Sequence, residues 1–325
     1  MRRRTFVVAL GGLVTSFGLV GPAAAEAPLK PPVTLTVGYV KVGHLAPMIL
    51  ISDALKKEGV NLKLVEFVRY ADARTALLTG SLDAASVGAA DLAIALSNGS
   101  TNVVGIMGVG SSKKYVIGRK GVKLESWADL KDKKVGIAPG SAVWFQFAAT
   151  MIEKGIPYNS FKEVKIQGGG TAFDQALKRG DVDAIVAWEP FETIPVMEGY
   201  GFYAKNLEYS HSKAVGSELG MLMASKTAVT TKRAALQRFV VAYTRKEAEL
   251  QADKPAFAAA LAKLTGLGPE ISKKIAQIIT LGAVVTPEQI KRQAKAFHDL
   301  GVIPKDVSGE IEKYWDGNLV ADASK

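Results

Sequence analysis

The residues best suited to chemistry are glycines and one serine at three strand-to-helix turns. These are Val42-Gly43-His44-Leu45-Ala46, Val87-Gly88-Ala89-Ala90 and Pro139-Gly140-Ser141-Ala142. Backbone N–H groups at a helix start lack intrahelical acceptors and sit at the positive end of the helix dipole, so such turns suit an anionic group. Glycine at 43, 88 and 140 would let a ligand approach the main chain closely, and Ser141 adds a hydroxyl donor. Taken singly, each turn also reads as an ordinary loop with an N-cap. The candidate contacts are His44 and Leu45, Gly88 and Ala89, and Gly140, Ser141 and Ala142. Trp188 and Glu189 add an indole able to stack on a ligand and a carboxylate able to accept from an amine or hydroxyl. The same pair also reads as a core-capping Trp with an acid well placed at a helix start. Trp144 and Phe145 follow Ser141 on one helix, so one is expected to line a cleft and the other the core.

Signatures of covalent chemistry are missing. The three histidines, His44, His211 and His298, are far apart, and no H-E-x-x-H occurs. Ser217 stands in the wrong place of Gly216-Ser217-Glu218-Leu219-Gly220 for a nucleophile elbow. Gly105 to Ser111 lacks the lysine of a P-loop, and Gly168-Gly169-Gly170 lacks dinucleotide-binding spacing. No cofactor and no metal site are expected.

The elements that must position these turns alternate. Strand composition at Val33–Val40, Asn61–Val68, Ala84–Val87 and Asn102–Val109 is separated by helical stretches at Ala46–Lys57, Ala71–Leu78 and Ala90–Leu96. That order argues for βαβ units and parallel sheets. Gly80-Ser81-Leu82-Asp83-Ala84 recurs as Gly180-Asp181-Val182-Asp183-Ala184, each copy after a helix and before an apolar strand, which predicts two similar α/β lobes. Lobe 1 is expected at 33–112 plus 225–325 and lobe 2 at 113–224, with hinge strands near Lys113–Val116 and Met221–Ala224. The last hundred residues read as helices, with an apolar stripe at Leu236, Phe239, Val240 and Tyr243. Prolines at 255, 269 and 287 mark later helix starts. These helices are expected to pack on lobe 1.

Met1-Arg2-Arg3-Arg4, the uncharged Phe6–Val20 and the small Ala23-Ala24-Ala25 follow the layout of a cleavable signal peptide over residues 1–25. Arg3-Arg4-Thr5-Phe6 also resembles a twin-arginine export signal. Cleavage after Ala25 removes three arginines from a formal net charge of +10. The remaining basic residues are dispersed and not interleaved with aromatics, so no nucleic-acid surface is indicated; a mild positive field favours anionic ligands. The chain has no cysteine, so neither disulfides nor a lipid-anchor cysteine is expected.

Several segments, taken in order, resemble a known family. Ser126-Trp127-Ala128-Asp129-Leu130-Lys131-Asp132-Lys133-Lys134-Val135, then Pro139-Gly140-Ser141, then Gly180–Ala184 leading into Ala187-Trp188-Glu189-Pro190-Phe191, resemble periplasmic solute-binding proteins of ABC importers. The likeness is to the aliphatic sulfonate, taurine and nitrate branch, which includes binders of thiamine-pyrimidine precursors. It implies an α/β, two-lobed type II periplasmic binding protein fold with a cleft between the lobes and extra C-terminal helices. It further implies a small, anionic ligand held at the candidate residues, a permease and its ATPase as partners, a periplasmic location, a monomer and no enzymatic activity. A ligand-sensing receptor would carry the same cleft. A thiamine-pyrimidine-forming enzyme of the same fold relies, by the resemblance, on a cysteine cluster this chain lacks.

Overall fold

The computed structural model describes residues 27–321; the export signal read at residues 1–25 lies outside them. The chain begins with β1 (Val33–Val40), a 3-10 segment (Gly43–Leu50), α1 (Ser52–Lys57), β2 (Val60–Phe67), α2 (Tyr70–Leu78), β3 (Ala84–Val87), α3 (Asp91–Ser97), β4 (Val103–Gly108) and β5 (Ser111–Ser112). It continues through β6 (Tyr115–Arg119), β7 (Lys134–Ile137), α4 (Ala142–Glu153), β8 (Lys162–Lys165), α5 (Gly170–Arg179), β9 (Ala184–Ile185), α6 (Thr193–Met197), β10 (Gly201–Glu208) and β11 (Met221–Ser225). The remainder is α7 (Lys226–Thr231), α8 (Arg233–Ala252), α9 (Lys254–Thr265), α10 (Pro269–Ile278), β12 (Ile279–Thr280), α11 (Pro287–Asp299) and α12 (Asn318–Ala321). The helix expected from Ala46 to Lys57 is split. Pro47 brings no N–H to its first turns, which run as 3-10 helix before α1 starts.

Two five-stranded sheets share one topology. The first has the order β2-β1-β3-β11-β4 and the second β10-β6-β9-β7-β8. Read from the other edge, β8, β7, β9, β6 and β10 take the places of β2, β1, β3, β11 and β4. The first three strands of each are parallel, and the fourth runs antiparallel to both neighbours. This is the physical content of the repeated glycine-to-alanine segment. Gly80 and Gly180 both take a left-handed φ of 80°, and β3 and β9 begin at Ala84 and Ala184. The Asp83 carboxylate accepts from the Thr36 N–H on β1 at 2.8 Å, as Asp183 accepts from Lys134 on β7 at 3.0 Å. Each pins the strand beside it, and each also meets a cation, Lys232 at 2.8 Å and Arg119 at 3.3 Å.

Met221–Ala224, read from the sequence as a hinge strand, is instead hydrogen-bonded between β3 and β4 in the first sheet. The chain passes between the sheets through the residues before β6 and after β10. Lys114 lies fully buried there, its ammonium donating to the carbonyls of Ser217 at 2.8 Å and Ser112 at 3.2 Å. The C-terminal stripe Leu236, Phe239, Val240 and Tyr243 is wholly buried against Leu35 and Val37 of β1 and their neighbours. α11 packs on α3 and also reaches across to α4: Phe297 stacks on Phe145, and Gln289 and Gln293 donate to Glu218 on the return segment. Among the described residues no helix is long and apolar enough to cross a membrane.

Asp83 is the less exposed of the repeat's two aspartates and serves two donors, so Asp83→Ala should cost about 2 kcal/mol. Asp183→Ala should cost less; calorimetric melting of both variants checks the order. A second test concerns Glu247 on α8, whose carboxyl burial pushes up to about 8. A raised folded-state value means that stability present below the ordinary glutamate range is lost as pH rises toward 8. Glu247→Gln should therefore melt progressively higher relative to the parent between pH 5 and 9, and equal pH slopes would refute the assignment.

Candidate functional site

The carboxyl ends of parallel strands from both sheets open on one cavity of about 470 Å³. The first sheet contributes Val40 and Val42 after β1, Val68, Arg69 and Tyr70 after β2, and Gly88, Ala90 and Asp91 after β3. The second contributes Ala138 to Val143 after β7 and Lys165 to Gln167 with Gly169 after β8. Trp188, beyond β9, and Leu219, on the return segment, also line it, as do His44, Arg74, Ile94 and Phe173. The turns lie where α/β sheets generally place ligands. A Cβ built on Gly169 would stand 3.0 Å from the Val68 side chain, so this glycine sets how closely the two rims approach.

Six of the nine candidate contacts line the cavity: His44, Gly88, Gly140, Ser141, Ala142 and Trp188. Leu45 and Ala89 are buried in the core instead. The Glu189 carboxylate also turns inward, accepting from the Thr193 hydroxyl at 2.8 Å and the Thr193 N–H at 3.2 Å. Burial pushes it up to about 7. It braces the turn into α6, the second of the two readings open for it. Neither Trp144 nor Phe145 reaches the cavity: the Trp144 indole donates to the Tyr158 hydroxyl, and Phe145 packs on Phe297.

Ser141 caps α4, its Oγ accepting from the Trp144 N–H at 3.3 Å. The hydroxyl hydrogen stays available to a ligand, beside the N–H groups of the first turn. Gly88 is different. Its N–H donates at 2.7 Å to Asp91, whose other carboxylate oxygen pairs with Arg74. The anion place at the start of α3 is thus filled by the protein's own side chain. Burial raises the Asp91 carboxyl, while Arg74 and the Gly88 N–H act against that shift. His44 is a neutral partner rather than a cation, because burial, aided by the Lys114 charge, drives its imidazole down to about 3. Its Nε2 meets the Tyr70 hydroxyl at 2.5 Å.

Arg69, Tyr70, Arg74, Asp91, Lys165 and Gln167 escaped the sequence reading. Asp91, three residues after Gly88 at a helix start, carried a usable capping signal; the others look like solvated charges of short amphipathic elements. Among the described residues no group of three or more His, Asp or Glu stands close enough to hold a metal ion.

Paired sheets of one topology, closing on a shared cavity at their carboxyl ends, define a two-lobed periplasmic binding protein fold, as expected from the sequence. Solved structures agree. An alkanesulfonate-binding protein SsuA from Xanthomonas axonopodis pv. citri, bound to MOPS, superposes with a TM-score of 0.75 at 19% identity, covering 90% of this chain and 99% of its own. The periplasmic nitrate-binding protein NrtA from Synechocystis PCC 6803 gives a TM-score of 0.75 at 14% identity, covering 92% and 89%. A Candida albicans protein described as having the generic periplasmic binding protein structural fold gives 0.69 at 12%, covering 87% and 96%. No curated protein sequence matches the chain. The model of the NMT1-like family matches residues 29–266, and the chain belongs to that family.

Asp91→Asn keeps an acceptor for the Gly88 N–H but removes the counter-charge of Arg74. The variant should bind anionic ligands about tenfold tighter, with steeper salt dependence; titration at two ionic strengths measures both.

Proposed function

We propose that this chain is the extracytoplasmic solute-binding component of an ABC importer, taking up a small anionic organic ligand or oxyanion between two closing lobes. The observation that carries the reading is the convergence on one cavity of helix starts from both sheets, with α4 offering the Ala142 and Val143 N–H groups and the Ser141 hydroxyl. A ligand touching both rims would favour the closed arrangement by its differential affinity for it. One lobe comprises residues 33–108 with 221–321 and the other 115–208, joined by the crossings around Lys114 and Ser217. The alkanesulfonate- and nitrate-binding neighbours support a sulfonate- or nitrate-like head group. The binding names of those neighbours favour a receptor over an enzyme, although a DszB variant crystallised with biphenyl-2-sulfinic acid shares the fold at a TM-score of 0.62.

With the export segment at its N-terminus, the receptor would work in the periplasm as a monomer and deliver its ligand to a membrane permease with its ATPase. Titration calorimetry against taurine, alkanesulfonates, nitrate, bicarbonate, aromatic carboxylates and pyrimidines tests the reading. At least one anion should bind and reduce the radius of gyration measured by X-ray scattering. Binding confined to neutral or cationic compounds would overturn it.

A further inference from the structure

The cavity wall holds three cations, and each already has an acidic partner on the protein. Arg74 pairs with Asp91, Arg69 with Asp72 at 2.7 Å, and Lys165 with Glu163 at 3.6 Å. The wall with its partners is therefore close to neutral, and His44 adds no charge. Uncharged polar groups face the cavity at the start of α4, around Ser141, and at Gln167. Most of the remaining surface is aliphatic or aromatic, including Val42, Ile94, Val143, Ile166, Phe173 and Trp188. A bare oxyanion would occupy a small part of about 470 Å³ and leave that surface either wet or empty, both unfavourable. A cavity of this size is in the range that encloses a drug-sized organic molecule.

Tyr70 lines the first rim of the cavity, and Trp188 and Phe173 lie together on the second. Trp188 meets Phe173 edge-on, ring centroids 5.6 Å apart and planes at 63°, and meets Phe191 edge-on at 6.0 Å. The Trp188 indole is only partly buried and lines the cavity, so it has aromatic surface to offer a ligand. Gly170 keeps this cluster in place: a Cβ there would fall inside the Phe191 ring, so α5 approaches Phe191 as only glycine permits.

We propose that the ligand is an aromatic monoanion, an arene carboxylate or arene sulfonate. Its single charged head sits at Ser141 and the first turn of α4, and its ring lies against Trp188, which Phe173 backs from the core. The inference rests on the receptor reading above and narrows it.

The test titrates the full mature protein, by calorimetry and tryptophan fluorescence, with 2-naphthoate, naphthalene-2-sulfonate, 2-naphthamide, ethanesulfonate, taurine and nitrate. The two naphthalene anions should bind at least about a hundredfold tighter than ethanesulfonate, taurine or nitrate, and also tighter than the uncharged amide. Trp188→Ala should weaken the naphthalene anions roughly tenfold more than it weakens the small anions, while Trp188→Phe keeps most of the affinity. Thermal melting of each variant verifies folding, and Trp188→Phe carries the test if the alanine variant does not fold. Tighter binding of taurine, ethanesulfonate or nitrate would overturn the aromatic assignment and leave the receptor reading standing. Equal affinity for amide and naphthoate would overturn the charged head. Failure of every anion, here and in the wider panel, would overturn both.

Discussion

One buried ammonium ties together the two segments by which the chain crosses between the sheets. Lys114 sits where the chain first crosses between them, and its Nζ reaches the carbonyl of Ser217, where the chain crosses back. Burial drives its ionisation down to about 8, and the charges of Glu192, Glu218 and Glu208 oppose that shift. Those acids are themselves anchored. Glu192 accepts from the Tyr115 N–H at 3.3 Å, and Glu218 accepts from Gln289 and Gln293 of α11. Burying an ion costs several kcal/mol unless partners surround it, and here they come from both crossings and from a C-terminal helix. Any motion between the lobes must pivot about this cluster or break it.

The same accounting shapes the cavity. Arg74 and Asp91 are mostly shielded from solvent and neutralise one another, and the Gly88 N–H completes the acid's hydrogen bonding. A free cation beside the cavity would attract many anions with little discrimination. A paired one leaves selection to the shape of the wall and to donors that cannot move, the N–H groups of α4. His44 fits this logic as a neutral ring fixed by Tyr70, since a charged imidazole would be costly at its depth.

Much of this was legible in the sequence because it rests on short-range signals. Gly80 and Gly180 announce left-handed turns, and Asp83 and Asp183 announce the strands they pin. The alternation of strand and helix is therefore legible through the three parallel strands of each sheet, though not in β10, and so are three glycine turns at the ends of β1, β3 and β7. The failures share a cause in long-range geometry. α4 is buried along nearly its whole length, from Ala142 to Met151, so no amphipathic face says whether Trp144 or Phe145 faces a ligand; neither does. Glu189 follows a cavity-lining Trp188, but its destination is set by Thr193, which only the fold of that turn reveals. Arg74 looks like a surface charge until the fold sets it beside the buried Asp91, while Arg69 stays exposed at the cavity rim.

β11 is the case where topology overrides local appearance. Its four apolar residues and Ser225 could serve as a connector, yet they form the fourth strand of the first sheet, a place β6 fills in the second. Each of these strands directly follows a crossing, so each sheet receives its antiparallel strand from a chain arriving from the other. The dependence is unequal. The second sheet uses residues 115–208 in an unbroken stretch, whereas the first waits for residues 221–225 to pair between β3 and β4. Closing that long loop carries an entropic cost, which falls sharply if the intervening lobe has already collapsed and brought its ends together. The second lobe is therefore the part suited to form first, and the first lobe, with the long C-terminal helices that cover it, is completed around the returning strand.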